Sequence, residues 1–439
     1  MDKRGAISLG LFHLGTLDLG YHCPNCCAPN YRMHPAKLPF KFWIIASIAF
    51  INSLSFTILI PILYPYAKEL GLSDFEASLL TSFYALAQFL ATPILGRLSD
   101  IWGRKPLLLI SLLGTVLANL LSSWATVAWI LFAARILDGI TGGNNSIATA
   151  VISDSTDPQD RPRAFGLFDV AFRSGFIAGP ALSYGAQLLP PFPGVSPLGM
   201  SFFVGAVVAL ISVILTAFFL PETLPAENRS APQWGWQMLG LDKMVTALGD
   251  ENIGKIFVLS LLSGLTFTVF TFAFQPFFLE VLGQDAQFLA IFFTAFGIIG
   301  ITGQVLLFGR MTRRFKLVHL IGAAILARSV IFLLIPTFPN LTAFVLLMFT
   351  LSFTNIFPLP LLNTLLSLNI NPQEQGEKMG LNASYSSIAN ALGPAFSGWL
   401  VGFGYGTPFW AAGLMSIGTA LYSLRLHTLR VQSSKTSSS

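Results

Sequence analysis

Twelve apolar runs succeed one another between Phe42 and Arg425, at roughly 42–65, 76–97, 106–124, 127–151, 163–188, 201–220, 255–279, 287–308, 317–336, 341–368, 377–402 and 407–425. A helix of about 20 residues matches the ~30 Å hydrocarbon layer of a bilayer. Inside that layer every backbone N–H and C=O must be paired within the chain, which admits only helices and closed barrels. The alternating short strands of a membrane barrel do not occur along this sequence. Composition agrees: 54% of the 439 residues are hydrophobic and 10% are charged, against about 25% charged in a soluble domain. The expected fold is an all-α polytopic membrane protein with twelve transmembrane helices, embedded in the lipid bilayer.

The charges give it an orientation. With both termini in the cytoplasm, twenty-one of the 25 Lys and Arg lie in the tails and loops on that side, and the outer loops hold only Lys68. Arg135, Arg173 and Arg328 fall inside the runs. Short loops rich in Lys and Arg stay cytoplasmic, so a multi-pass inner- or plasma-membrane protein is expected. The net charge of +5 then reports orientation and gives no ground for binding nucleic acid. The expected organisation is a cytoplasmic tail at 1–41, a six-helix bundle at 42–220, a central cytoplasmic loop at 221–254, a second bundle at 255–425 and a tail at 426–439. A monomer is expected.

The first tail differs in kind from the rest. It has no long apolar stretch of the signal-peptide type, and it holds all three cysteines, Cys23, Cys26 and Cys27. A C-x-x-C beside histidines is half of a zinc site. No second C-x-x-C follows, so closure would require His13, His22 or His34. The plainer readings are a solvated tail of reduced thiols, or translation starting at Met33. No cofactor is expected, and the membrane part shows no metal-ligand cluster.

Polar side chains within the runs are few, and each needs a partner or water. Asn52 lies midway along the first run, where a helix–helix hydrogen bond and a place on a cavity wall are both open. Tyr84 and Gln88 interrupt the second. In the fourth, Arg135 and Asp138 are three apart and so share a helical face. They read either as a buried structural pair or as a proton- or substrate-responsive pair in a central cavity, and intramembrane ionisable groups favour the second. Asp169 and Arg173, four apart in the fifth run, repeat the theme. Gly175, Gly179 and Pro180 beyond them combine close packing with a bend. Of the second-half polar residues Gln275, Gln304, Arg328, Asn355, Asn363, Asn382 and Asn390, the cavity candidates are Gln275 and Asn355. Arg328 is left between an acid of the other half and a water-facing turn.

The second half echoes the first. Gly309-Arg310-Met311 matches Gly96-Arg97-Leu98 at an offset of 213, Gly393-Pro394 matches Gly179-Pro180 at 214, and Pro276 matches Pro61 at 215. Two six-helix pseudo-repeats follow, with a substrate site expected at mid-depth between them.

Between the second and third runs stand Gly96, Asp100, Gly103, Arg104 and Lys105, which resemble the loop signature G-x-L-x-D-x-x-G-R-K of the major facilitator superfamily. With Gly166, the fifth run reads G-x8-G-x3-G-P, similar to the fifth-helix motif of that superfamily's proton-coupled antiporters. Residues 42–190 resemble the tetracycline/proton antiporters and related twelve-helix drug–proton antiporters. The resemblance implies proton-driven export by alternating access, with protons and a small-molecule substrate as partners. It also implies that Asp100 docks onto facing helix ends while Arg104 and Asp154 complete a cytoplasmic charge cluster that latches the outward-facing state.

Two departures bear on coupling. Asn52 stands where the family carries a first-helix acid, and Ile101 where a basic residue usually follows the loop aspartate. Proton coupling would therefore move to Asp138 or Asp169. The coupling step expected is at Asp138: separating it from its arginine favours protonation, and restoring the pair releases the proton. The missing acid also supports a facilitator or symporter of a polar metabolite. A third reading is a non-transporting sensor or scaffold that binds metal through Cys23 and Cys26. An enzyme is not expected, since no phosphate-binding G-x-x-x-x-G-K-[ST] loop occurs.

Overall fold

The computed structural model describes residues 40–157, 160–229, 241–250, 253–371 and 374–428, which belong to one unit. The cysteines and histidines of the first tail lie outside them. Every regular element among the described residues is helical: α1 (Phe40–Thr57), α2 (Leu63–Glu69), α3 (Asp74–Trp102), α4 (Arg104–Ser123), α5 (Ala128–Thr141), α6 (Asn144–Ser155), α7 (Arg161–Gln187), α8 (Gly199–Phe219), α9 (Leu241–Leu248), α10 (Gly254–Pro276), α11 (Ala286–Gly303), α12 (Gly309–Arg314), α13 (Leu317–Thr337), α14 (Leu341–Asn355), α15 (Pro358–Leu368), α16 (Gln375–Val401) and α17 (Thr407–Ser423).

Each apolar run is helical, and three of them break. The first stops at Thr57 and restarts at Leu63 around Pro61, which has no N–H to donate back along a helix. The fourth steps at Gly142-Gly143 between α5 and α6, and the tenth between Asn355 and Pro358. Among the described residues, seven helical stretches are long and apolar enough to cross a membrane: α3, α4, α8, α13, Gly254–Val281, Ala286–Arg314 and, across its step, Leu341–Leu368. Local side-chain caps set several starts. Ser73 and Glu76 form a capping box at α3, Asp285 accepts the N–H of Phe288 at 2.7 Å, and Asn340 that of Ala343 at 2.9 Å.

The packing partners recur in two sets. In the first, α1 packs on α7 and α8, α3 on α5, and α4 on α5 and α8. In the second, α10 packs on α16 and α17, α11 on α14, and α13 on α14 and α17. The sets meet where α3 crosses α16 and α7 crosses α11. They also join at the end that holds Tyr64, where Phe272 and Val401 pack with Ile62, Tyr66 and Leu131. The Tyr64 and Phe272 rings there meet edge to face, with centroids 6.0 Å apart. Large apolar side chains point outward instead of in: Phe218 is 79% exposed and Val305 75%. In water that surface would be costly, whereas hydrocarbon accepts it, and the protein is an integral multi-pass membrane protein.

Small residues make the crossings possible. A Cβ on Gly179 would collide with Thr57, one on Gly175 with the carbonyl of Phe50, and one on Gly393 with Thr268. The two threonines play equivalent parts: Thr57 Oγ1 donates to the carbonyl of Gly175 at 3.2 Å, and Thr268 Oγ1 to that of Ala389 at 2.9 Å. Gly166 differs from the motif reading, for no atom lies within 4 Å of where its Cβ would stand. It sits nearer the start of α7, on a part of the helix that no neighbour approaches at that point.

Candidate functional site

A cavity of about 440 Å³ opens between α7 on one side and α10, α11 and α14 on the other. Phe172 and Phe176 of α7 face Phe267, Phe270 and Phe274 of α10 and Phe292, Phe293 and Phe296 of α11 across it. Such walls suit planar apolar groups, which stack or meet edge to face with aromatic rings. Asp169, Arg173, Thr271, Gln304, Ser352 and Asn355 supply its polar points. Among the described residues, Asp169 and Arg173 are the only charged ones lining it. Arg173 Nε donates to Asp169 Oδ2 at 2.6 Å, and the two side chains are 47% and 56% exposed, so both can reach a guest.

The other intramembrane pair lies elsewhere. Arg135 and Asp138 meet at 3.2 Å with only 3% and 6% of their side chains exposed. Arg135 also donates to Ser122 Oγ of α4 at 3.4 Å and lies 5.5 Å from the ring centre of Phe202 on α8. The pair is thus buried among α4, α5 and α8 and does not line the cavity, in contrast to the central position that its spacing allowed. A sequence gives the face of a helix, and only packing decides which neighbour covers it.

Of the five cavity candidates, Asn355 lines the cavity, Asn52 and Gln88 bond to other helices, Tyr84 bonds within its own helix, and Gln275 is buried. Asn52 and Asn144 of α6 exchange two hydrogen bonds, of 3.2 and 3.0 Å. Gln88 Nε2 donates to Tyr84 Oη at 3.1 Å and to the carbonyl of Gly142 at 3.0 Å. That carbonyl is freed by the step between α5 and α6, and Gln88 satisfies it. Gln275 is buried with its Oε1 unpartnered, although its neighbours Thr271 and Phe274 face the cavity. Asn144 stood in the string G-G-N-N-S with nothing to single it out.

At the end opposite Tyr64 the loop between α3 and α4 is held by charge. Arg104 donates to Asp154 at 3.0 Å, to Ser99 Oγ at 2.7 Å and to Asp100 at 2.5 Å. Asp100, expected to dock on facing helix ends, stays with Arg104 of its own loop. Gly103 takes φ +105°, open to glycine at no steric cost. A carboxylate missed in the sequence completes the cluster. Glu222, after α8, accepts the N–H groups of Arg104 at 2.9 Å and Lys105 at 3.2 Å, the first two of α4, and those of Thr223 and Leu224. Burial alone would raise its proton affinity, but these four N–H groups outweigh it and hold the carboxyl below the usual range. Lys105 Nζ donates to the carbonyl of Ala217 at 2.8 Å. The only sequence signal was a lone acid in P-E-T, whose partners are 117 and 118 residues away.

The sequence profile of the Major Facilitator Superfamily matches residues 45–376 and again 256–439. The chain belongs to that superfamily. It is a transporter, not an enzyme. Among similar superfamily members, "Tetracycline resistance protein, class C" of Escherichia coli is 28% identical over 401 residues, 88% of this chain and 96% of that protein. "Multidrug resistance protein 1" of Bacillus subtilis (strain 168) is 31% identical over 382 residues, 86% of this chain and 94% of that one. These relatives bear out the resemblance to the drug antiporters. Solved superfamily structures share the fold. The human organic anion transporter MFSD10 (TETRAN) superposes with a TM-score of 0.64 at 22% identity, covering 88% of this chain and all (100%) of that one. The nucleoside transporter NupG gives 0.71 at 16%, covering 89% and 100%.

The same motifs thus acquire places in a transporter. Gly175 and Gly179 seat α7 against α1, while a Cβ on Gly96 would make only ordinary contact with Ser146 of α6, 3.8 Å away. Among the described residues no group of three or more His, Cys, Asp or Glu could hold a metal ion.

Proposed function

We propose that this superfamily member exports small amphipathic compounds in exchange for protons. It alternates access between two six-helix halves, 42–220 and 255–425, joined by a cytoplasmic loop at 221–254 and flanked by cytoplasmic tails. The repeated packing sets, the equivalent threonine bonds and the double match of the superfamily profile support the two halves and their twelve spans. The observation that carries the substrate reading is the phenylalanine-walled cavity with one ion pair on its wall. The names of the tetracycline and multidrug relatives agree with it.

Asp169 is the coupling carboxylate in this reading. As an ion pair with Arg173 it holds no proton. When a guest or a shift of α7 draws Arg173 away, Asp169 takes up a proton, and re-forming the pair releases it. Arg135 and Asp138, buried in the first half, form a second charge relay that answers the same movement. Lined up with cytoplasmic termini, the end joined through Tyr64 is the outer one, and the cavity side is reached from the cytoplasm. On reversal Asp100 exchanges Arg104 for the facing half, with Arg104–Asp154 as the hinge of the latch.

Inside-out proteoliposomes with an acidic lumen and a pH-sensitive dye test the coupling. Amphipathic drugs are expected to trigger proton efflux, Asp169→Asn to abolish it while drug binding persists, and Asp138→Asn to slow it. Full proton-driven transport by Asp169→Asn would refute the assignment. Exchange of a polar metabolite with no proton movement would replace antiport by facilitated diffusion.

A further inference from the structure

Arg328 on α13 is 1% exposed and has no ion-pair partner among the described residues. Its Nη2 donates to Thr266 Oγ1 at 2.9 Å, to Ser263 Oγ at 3.1 Å and to the Ser263 carbonyl at 3.2 Å. Its Nη1 reaches Asn355 Oδ1 at 3.4 Å, and its Nε has no partner. A guanidinium stays protonated at any pH a protein meets. The core of the second half therefore holds a full positive charge surrounded by neutral oxygens. Such a charge is expensive in a membrane and is retained where it serves a pathway.

The chemistry of the contact decides what Asn355 shows to the cavity. Arginine carries donors only, so it can engage Asn355 through Oδ1 alone. The Asn355 amide nitrogen is thereby turned away from Arg328, and no acceptor among the described residues takes its protons. Asn355 lines the cavity, so this wall offers a donor backed directly by an unneutralised cation. On the α7 wall, Asp169 and Arg173 cancel each other. With that pair neutral, the uncompensated charge nearest the Asn355 wall among the described residues is the Arg328 guanidinium behind it.

We infer that the cavity selects amphipathic anions, with an aromatic body against the phenylalanines and an anionic oxygen group, such as a carboxylate, sulfonate or enolate, received by the Asn355 amide beside Arg328. This rests on the reading of the cavity as the substrate site and names the charge of the substrate.

The test compares two probes of one shape, naphthoate and naphthylmethylammonium, by equilibrium binding to the purified full chain in lipid nanodiscs. Wild type is expected to prefer naphthoate. Asn355→Asp places a carboxylate against Arg328 and neutralises it without disturbing packing. It should weaken naphthoate by roughly a hundred- to a thousandfold, the effect of one unit charge about 4–5 Å from the bound anionic group at an effective dielectric of about 20. It should leave the cation unchanged or bound more tightly. Arg328→Met should act in the same sense, and Asn355→Asp keeps the test valid should that variant misfold. A wild type that prefers the cation, or an unchanged preference in Asn355→Asp, would overturn the inference and leave the amphipathic exporter standing. Binding of neither probe would overturn both.

Discussion

Replacing Glu222 with Gln tests how the loop of α4 is held. The carboxylate closes the first two N–H groups of α4 and two of its own loop. The amide keeps one acceptor oxygen, but it turns an NH₂ toward the Lys105 N–H and removes the charge from the positive end of the helix. A charge-assisted hydrogen bond contributes about 1.5–3 kcal/mol and an anion at a helix N-terminus about 0.3–1 kcal/mol. Because Glu222 is partly solvated, about 1–2 kcal/mol is the expected loss, a drop of roughly 1–2 °C in the unfolding midpoint of a chain this long. The pH dependence fixes the cause. The folded carboxyl titrates below its unfolded range, so its stabilisation is present at neutral pH and disappears as pH falls through the folded value. Thermal unfolding in detergent, wild type against Glu222→Gln across a pH series, should show a gap at neutral pH that closes in acid. A gap that persists in acid, or none at neutral pH, would refute this account of the cap.

Two other substitutions follow from packing. Gly179→Ala must push Thr57 or the α1 backbone aside and is expected to cost about 1–3 kcal/mol, whereas Gly166→Ala meets open space and should gain up to about 1 kcal/mol through helix propensity. Unfolding in detergent compares them directly. Asn52→Ala strands the amide of Asn144 and is expected to cost about 0.6–1.7 kcal/mol, with transport retained if the pair is purely structural; a rate change larger than the stability loss would instead give Asn52 a place in the cycle.

Tyr84, Gln88 and Asn52 show why polarity inside an apolar run is an incomplete guide. Each was visible as a side chain needing a partner: Gln88 found it on the Gly142 carbonyl and Asn52 on Asn144, whereas Tyr84 is met by Gln88 of its own helix. The partners lie 54 and 92 residues away, beyond any periodicity. Asn355 satisfied the same criterion and ended on the cavity wall.

What the sequence alone determined is what depends on neighbours along the chain. Apolar length specified helices of membrane span, because the backbone can be satisfied in lipid only within such segments. The spacing of Asp169 and Arg173 specified a pair, because residues four apart share a helical face. Gly179-Pro180 and its echo at Gly393-Pro394 marked close crossings, because only a missing side chain permits them. The tertiary structure decided which face met which. It set Arg135 and Asp138 against α4 and α8, left Asp169 and Arg173 on the cavity wall, carried Glu222 to the start of α4, and surrounded Arg328 with neutral oxygens. Burial and electrostatic environment are properties of the assembled surface around a group, and that surface is built from helices far apart in the chain.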